Sequence, residues 1–243
     1  MSDSIGIFDS GVGGYTIYQA CVKRYPHHSF VLLADQLHLP YGDKSQAELK
    51  EIFDVLMNHF RALDVHTILI ACNTMSSLLD DELRNQYPEM NLISIIEPTL
   101  SIIPEDGDIM VLATQATLSS NRYQEALRIQ NPSRTIIEVW GRQLAKHIEE
   151  GDEASIESFI QEYMVSHRVD HIVLACTHYP LIRSHISAHM SANLIDSIDV
   201  MSSMIKNTPG SNHPNKIYTT ANPELFEAKI KRIFNEDVKV ELC

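Results

Sequence analysis

Two cysteines, Cys72 and Cys176, stand at the ends of short apolar runs, and each is followed by hydrogen-bonding residues. His171-Ile172-Val173-Leu174-Ala175 leads into Cys176-Thr177-His178, and Thr67-Ile68-Leu69-Ile70-Ala71 leads into Cys72-Asn73-Thr74. An apolar, β-branched run of this length reads as a buried strand. Ligands of open parallel sheets bind just beyond the carboxyl ends of the strands, so both thiols fall where chemistry is expected. One such cysteine would be a weak signal, because free cysteine is among the most buried residue types. Two copies, far apart in the chain and each followed by polar residues, imply contributions from different strands. Cys176 with His178 alone would fit a thiol hydrolase or transferase, nucleophile and base, but it leaves Cys72 idle. A two-lobed amino-acid-binding module is a non-enzymatic alternative. A zinc site from Cys72, Cys176 and His178 is another, although its spacing matches no familiar zinc pattern.

The elements that position these residues alternate between strand and helix. Ile5-Gly6-Ile7-Phe8 reads as a first strand running into Asp9-Ser10-Gly11-Val12-Gly13-Gly14. That loop is neither a Rossmann fingerprint, since position 16 is Thr, nor a P-loop, since Gly-Lys-Ser/Thr is absent. It is either a tight turn or a place where backbone N–H groups approach a small carboxylate. Phe30 to Ala34 is a second strand ending at Asp35, and Leu39-Pro40-Tyr41-Gly42 is a turn by composition. Ser45 and Glu48 form a capping box, and Leu49, Ile52, Phe53, Leu56, Phe60 and Leu63 follow at helical spacing. Strands are expected over Leu92–Ile96, Ile109–Ala113, Thr135–Val139, Asn193–Ile195, Lys216–Thr220 and Val238–Leu242. Helices are expected over Arg142–Glu150 and Asp152–His167, near Tyr123, and from Leu181 and Asn222-Pro223. Thr208 to Asn215 is the clearest linker. The pattern is that of an α/β protein with mostly parallel sheets, and the two cysteine strands point to two similar lobes.

Bulk composition narrows the function classes. A chain of 243 residues with 44% hydrophobic and 21% charged residues is an ordinary globular one. A net charge of −13 argues against nucleic-acid and anionic-membrane surfaces. No apolar run approaches a membrane span, and the N-terminus has no signal-type segment. Four cysteines without a CxxC motif or scaffold density fit a reducing cytoplasm.

Four stretches together carry a family resemblance: Gly6 to Gly14, Pro40-Tyr41-Gly42, Ala71-Cys72-Asn73-Thr74, and Cys176-Thr177-His178-Tyr179-Pro180-Leu181. In order and spacing the chain resembles the glutamate racemases of the aspartate/glutamate racemase superfamily. The resemblance implies interconversion of L- and D-glutamate without a cofactor or metal, supplying D-glutamate for bacterial peptidoglycan. An aspartate or broad-specificity racemase is the alternative within the superfamily. The resemblance also implies a site between two α/β lobes, residues 1–97 plus 208–243 and residues 98–207. The partner it implies is the small molecule glutamate, with neither nucleic acid nor membrane, and with a homodimer as the open option for assembly. On the motif match, Cys72 and Cys176 are the catalytic acid/bases, assisted by Asp9, His178, Asp35 and Glu149. Asp9, Ser10, Tyr41, Gly42, Asn73, Thr74, Thr117, Thr177 and His178 are the substrate contacts. Ala116 and Ala175 stand where the family usually has Gly, and the run Trp140–Ile148 lacks the family's common Cys-Pro segment.

The chemistry explains why two like groups are needed. Racemisation removes a proton from one face of Cα and returns one to the other, so two fixed acid/bases avoid moving a single group around the carbon. A cysteine thiol titrates near 8.5, and a gap of about ten units to the α-proton would cost roughly 14 kcal/mol. Pyridoxal enzymes meet that cost with an electron sink. Here hydroxyls and backbone N–H groups at Ser10, Asn73, Thr74, Thr117 and Thr177 are the candidates for stabilising charge on the substrate carboxylate.

Overall fold

Strands buried on both faces read as nearly continuous apolar runs, and this chain has several. In the computed structural model, which describes residues 4–206, 210 and 213–243, they form two sheets. The first contains β1 (Ile5–Asp9), β2 (Phe30–Ala34), β3 (Thr67–Ile70) and β4 (Asn91–Ser94). The second contains β5 (Ile109–Ala113), β6 (Ile136–Trp140), β7 (His171–Ala175) and β8 (Asn193–Ile195). The chain then returns to the first sheet with β9 (Lys216–Thr219) and β10 (Glu241–Leu242). The orders are β10-β9-β2-β1-β3-β4 and β6-β5-β7-β8, and every pairing among the described strands is parallel.

The order β2-β1-β3-β4 therefore recurs as β6-β5-β7-β8. In each sheet the chain reverses direction of growth at a central strand, β1 or β5, and a crevice opens beyond the carboxyl ends there. Register makes the correspondence close. Phe8 pairs with Ile70, and Ala113 pairs with Ala175. Cys72 follows β3 and Cys176 follows β7, the equivalent strand of the other sheet.

Three apolar cores hold this frame. One face of the first sheet packs Phe8, Leu33 and Ile70 under the helix Gln46–Ala62. One face of the second packs Met110, Leu112 and Leu174 under the helices Leu144–Glu150 and Glu153–Tyr163. The third core joins the lobes: Ile5, Ile7 and Ile17 share it with Ile109, Val111 and Met201. Its seam is the helix Gly14–Arg24 lying on the helix Ile198–Ser203. The capping box forms as expected, with Ser45 Oγ accepting from the Glu48 N–H and the Glu48 carboxylate accepting from the Ser45 N–H.

Several expected bounds differ. The strand expected to reach Ile96 stops at Ser94, because Ile96–Leu100 is a helix that runs across positions 97 and 98. Its Ile95 and Ile96 are fully buried, so burial and not strand geometry accounts for the apolar run. The helix expected from Arg142 starts at Leu144, since Arg142 takes a left-handed φ of 37°. The following helix ends at Tyr163, and only Glu241–Leu242 of the last run is strand. Of the expected linker, Thr208, Pro209, Ser211 and Asn212 lie outside the described residues, as does the 207/208 boundary. Its far end is tied down, with Asn215 Oδ1 accepting from the Phe30 N–H at 2.9 Å. None of the described helices is long and apolar enough to cross a membrane.

Candidate active site

The carboxyl ends of the two sheets face each other across a cavity of about 570 Å³. Ser10, Tyr41, Gly42, Cys72, Asn73 and Thr74 line it from the first sheet's side. Glu149, Cys176, Thr177 and His178 line it from the second. The two thiols are near enough that charge on Cys176 disfavours charge on Cys72.

The Cys72 side is built from a hydroxyl and a carboxylate. The thiol donates to Ser10 Oγ at 3.7 Å. Burial first, and then the Asp9 carboxylate, push Cys72 up to about 12, against the opposing backbone N–H of Met75. Asp9 is fully buried, and that burial raises it to about 6, although His178 and the Thr177 hydroxyl pull the other way. Thr177 Oγ1 donates to Asp9 Oδ2 at 3.0 Å across the lobes, while Asp9 Oδ1 is buried with no hydrogen-bond partner. A buried acceptor left unmet costs free energy.

The Cys176 side is a relay of ring and charge. His178 Nδ1 lies 3.7 Å from the Cys176 sulfur, and its Nε2 lies 2.8 Å from Glu149 Oε1. Burial works against a charged imidazole, but the Cys176 and Glu149 contacts outweigh it and hold His178 well above the usual histidine range. Burial likewise disfavours ionised Glu149, yet His178 and Lys229 bring its carboxyl down to about 2. The Val12 N–H donates to Glu149 Oε1 at 3.1 Å, a further contact between lobes.

The glycine-rich loop earns its composition here through space. Neither Gly11 nor Gly13 has a positive φ. A Cβ on Gly11 would fall 2.4 Å from Glu149 Oε1 and 2.9 Å from His178 Nε2. A Cβ on Gly13 would fall 2.4 Å from Thr177 Oγ1. The loop is bare because the second lobe's site residues press against it.

Not every expected site residue reaches the cavity, and Asp9, fully buried, is one that does not line it. Asp35 is fully buried and accepts from the Tyr41 hydroxyl, from Thr220 and from His38 at 2.8 Å. It bonds neither thiol and instead fixes Tyr41, whose phenol burial and the Asp35 charge push far up. Thr117 is fully buried behind Thr114, the residue that lines the cavity. The Thr114 hydroxyl caps the helix Gln115–Ser119 and meets Thr74 Oγ1 at 2.9 Å, and Thr117 meets Thr74 at 3.4 Å. Tyr123 donates to Asn73 Oδ1 at 2.7 Å, again across the lobes. Sequence reasoning missed Thr114 and Lys229. Thr114 had a signal, a threonine at a strand end in N-cap position. Lys229 had none to separate it from Lys231 and Arg232. Among the described residues, no three His, Cys, Asp or Glu side chains converge in a way that could hold a metal ion.

The Asp/Glu/Hydantoin racemase family model matches residues 10–205. The chain belongs to that family. It is similar to the glutamate racemase of Aquifex aeolicus, 31% identical over 252 aligned positions that cover 98% of this chain and 96% of that one. It is 35% identical over 189 positions to the glutamate racemase of Carboxydothermus hydrogenoformans, covering 75% of this chain and 70% of that one. The crystal structure of glutamate racemase from Francisella tularensis in complex with D-glutamate superposes with a TM-score of 0.89 at 27% identity, covering 99% and 97% of the two chains. The two parallel sheets of six and four strands thus match the two-lobe glutamate racemase fold.

Proposed function

We propose that this chain racemises glutamate without a cofactor, by proton transfer between Cα and two thiols on opposite faces. The observation that carries the reading is the pair of cysteines that equivalent strands, β3 and β7, deliver to one cavity. Cys72 is held as a thiol, able to give a proton. Cys176 stands beside the Nδ1 of His178, with which it can exchange a proton. One group loaded and one unloaded is the starting condition that a two-base racemisation requires, and the roles exchange with each turnover.

Most of the substrate contacts follow from the lining; Asp9 is fully buried and does not itself line the cavity. Asp9 Oδ1 is the acceptor we assign to the substrate ammonium. Ser10, Asn73, Thr74 and Thr177, with Thr114 backed by Thr117, supply donors where charge develops on the α-carboxylate. Tyr41 and Gly42, fixed through Asp35, shape the wall for the side chain. We divide the molecule at 97/98 and 207/208 into two lobes that approach each other around the substrate. The product fits cytoplasmic supply of D-glutamate to peptidoglycan synthesis.

Purified protein dialysed exhaustively against chelator should racemise glutamate with no pyridoxal absorbance. Dependence on added pyridoxal phosphate or metal contradicts the reading. Glutamate should exceed aspartate in kcat/KM, by no more than the ~10–200-fold that one methylene supports. A preference for aspartate rejects the substrate while leaving the reaction type standing.

A further inference from the structure

We infer that Lys229 is a positioning residue of the Cys176 side, fixing through Glu149 and His178 the arrangement of protons that reaches the thiol. The inference rests on the reading above only for its kinetic consequence.

Lys229 lies on the helix Pro223–Phe234, in the segment that returns to the first sheet after the second is complete. Its Nζ donates to Glu149 Oε2 at 2.6 Å and to Gln36 Oε1 at 2.8 Å. The ammonium and the Val12 N–H are donors only. Glu149 therefore accepts at both oxygens, from Val12 at Oε1 and from Lys229 at Oε2. Donors at both oxygens, one of them an ammonium, favour the ionised form, and burial alone would oppose it. Because an ionised Glu149 has no proton to give, His178 Nε2 carries the hydrogen between them. That leaves Nδ1 as the nitrogen that faces Cys176 and exchanges a proton with it.

Other charges do not duplicate this role. His178 faces Cys176, Glu149 and the Asp9 carboxylate. Glu149 faces His178 and Lys229, and Lys146 and Glu150 of its own helix line the same cavity. Cys176 faces Cys72 and the phenols of Tyr123 and Tyr179. Among the described residues only Lys229 is bonded to Glu149 Oε2. Without it a buried charge loses its partner, the costly way to break such a pair, and Glu149 supports the imidazolium less.

The test is the titration of the His178 ring followed by NMR in the intact protein, its signal identified by loss in His178→Gln. In Lys229→Met the midpoint falls by roughly one pH unit, a tenfold change in proton affinity. Lys229→Arg keeps the midpoint near that of the parent. Lys229→Gln, which keeps a donor without the charge, guards against a Met variant that does not fold and lowers the midpoint too. In the Met and Gln proteins kcat/KM falls roughly tenfold, equally in both directions because the equilibrium constant is near one. The basic limb of its pH profile moves down with the midpoint. An unchanged midpoint in the folded Met or Gln variant overturns the inference whether or not the protein racemises glutamate. A midpoint that moves in a parent protein without racemase activity overturns the proposed function instead.

Discussion

Cys72 and Cys176 are the same side chain at equivalent strand ends, yet their surroundings differ. Cys72 has a hydroxyl in contact and a carboxylate nearby, and among the described residues no base bonds its sulfur. Cys176 has an imidazole in contact, backed by a carboxylate and an ammonium. Asp9 and Glu149 are both buried acids, but they are tuned in opposite directions, Asp9 to about 6 and Glu149 to about 2. The difference is a matter of partners. Glu149 meets two cationic groups, whereas Asp9 meets hydroxyl and backbone donors with the His178 charge at longer range. A pseudo-symmetric fold thus produces an asymmetric pair, one thiol pushed up by burial and a carboxylate, the other beside an imidazole. Symmetry in the backbone brings the thiols together, and the groups around each of them differ.

The strongest way to break this comparison is to remove one thiol. Cys72→Ala and Cys176→Ala should each lower racemisation by at least about two orders of magnitude, as expected for loss of an acid/base group. Near-normal turnover by Cys72→Ala would leave Cys176 and His178 as a single-base or nucleophilic site and end the pairing.

Asp9→Asn sharpens the Cys72 side. The wild-type kcat/KM should fall as pH drops through about 6, where Asp9 takes up its proton. The variant should lose that limb and roughly tenfold in kcat/KM. Stability should move the other way. The folded value lies above the unfolded one, so between them the folded state holds the extra proton and stability declines as pH rises toward 6. Asn removes that cost, and thermal melts at pH 7 should show a gain of up to about 3 kcal/mol.

Gly11→Ala probes the Cys176 side from the opposite lobe. The added methyl meets Glu149 and His178, so it should cost about 1–3 kcal/mol of stability and several-fold in kcat/KM by displacing the relay. The smallest effect is reserved for Ser45→Ala, on the outer helix. Loss of its cap should cost about 1 kcal/mol in denaturant unfolding and leave kcat unchanged. A drop in kcat there would mean that activity follows global stability and not the local surroundings of the thiols.

The frame and the two thiols were legible because their signals are local. An apolar run followed by Cys and a polar residue needs no tertiary information, and neither does the Ser45 and Glu48 box. What was not legible depends on contacts between lobes. Lys229 looks like any basic residue of an amphipathic helix until the C-terminal segment folds back against Glu149. The glycines of the first loop read as turn residues, and their reason is the approach of Thr177, His178 and Glu149 from a sheet formed later in the chain. Thr114 follows the strand and Thr117 lies one helical turn on, and only packing decides that Thr114 faces the cavity. Arg142 fits a helical pattern by composition, and its left-handed backbone is what delays the helix.

The claim that two thiols act from opposite faces is tested most directly by isotope transfer. Each glutamate enantiomer is incubated in deuterated water, and both substrate and product are sampled early. The account predicts product deuterated at Cα in both directions, because the proton comes from the thiol across the cavity, which exchanges with solvent. Remaining substrate should carry almost none, because a monoprotic thiol on the starting face returns the proton that it took. Deuterium that appears in substrate as fast as in product, or product that retains the substrate's own hydrogen, would mean that one group serves both faces and would contradict the account.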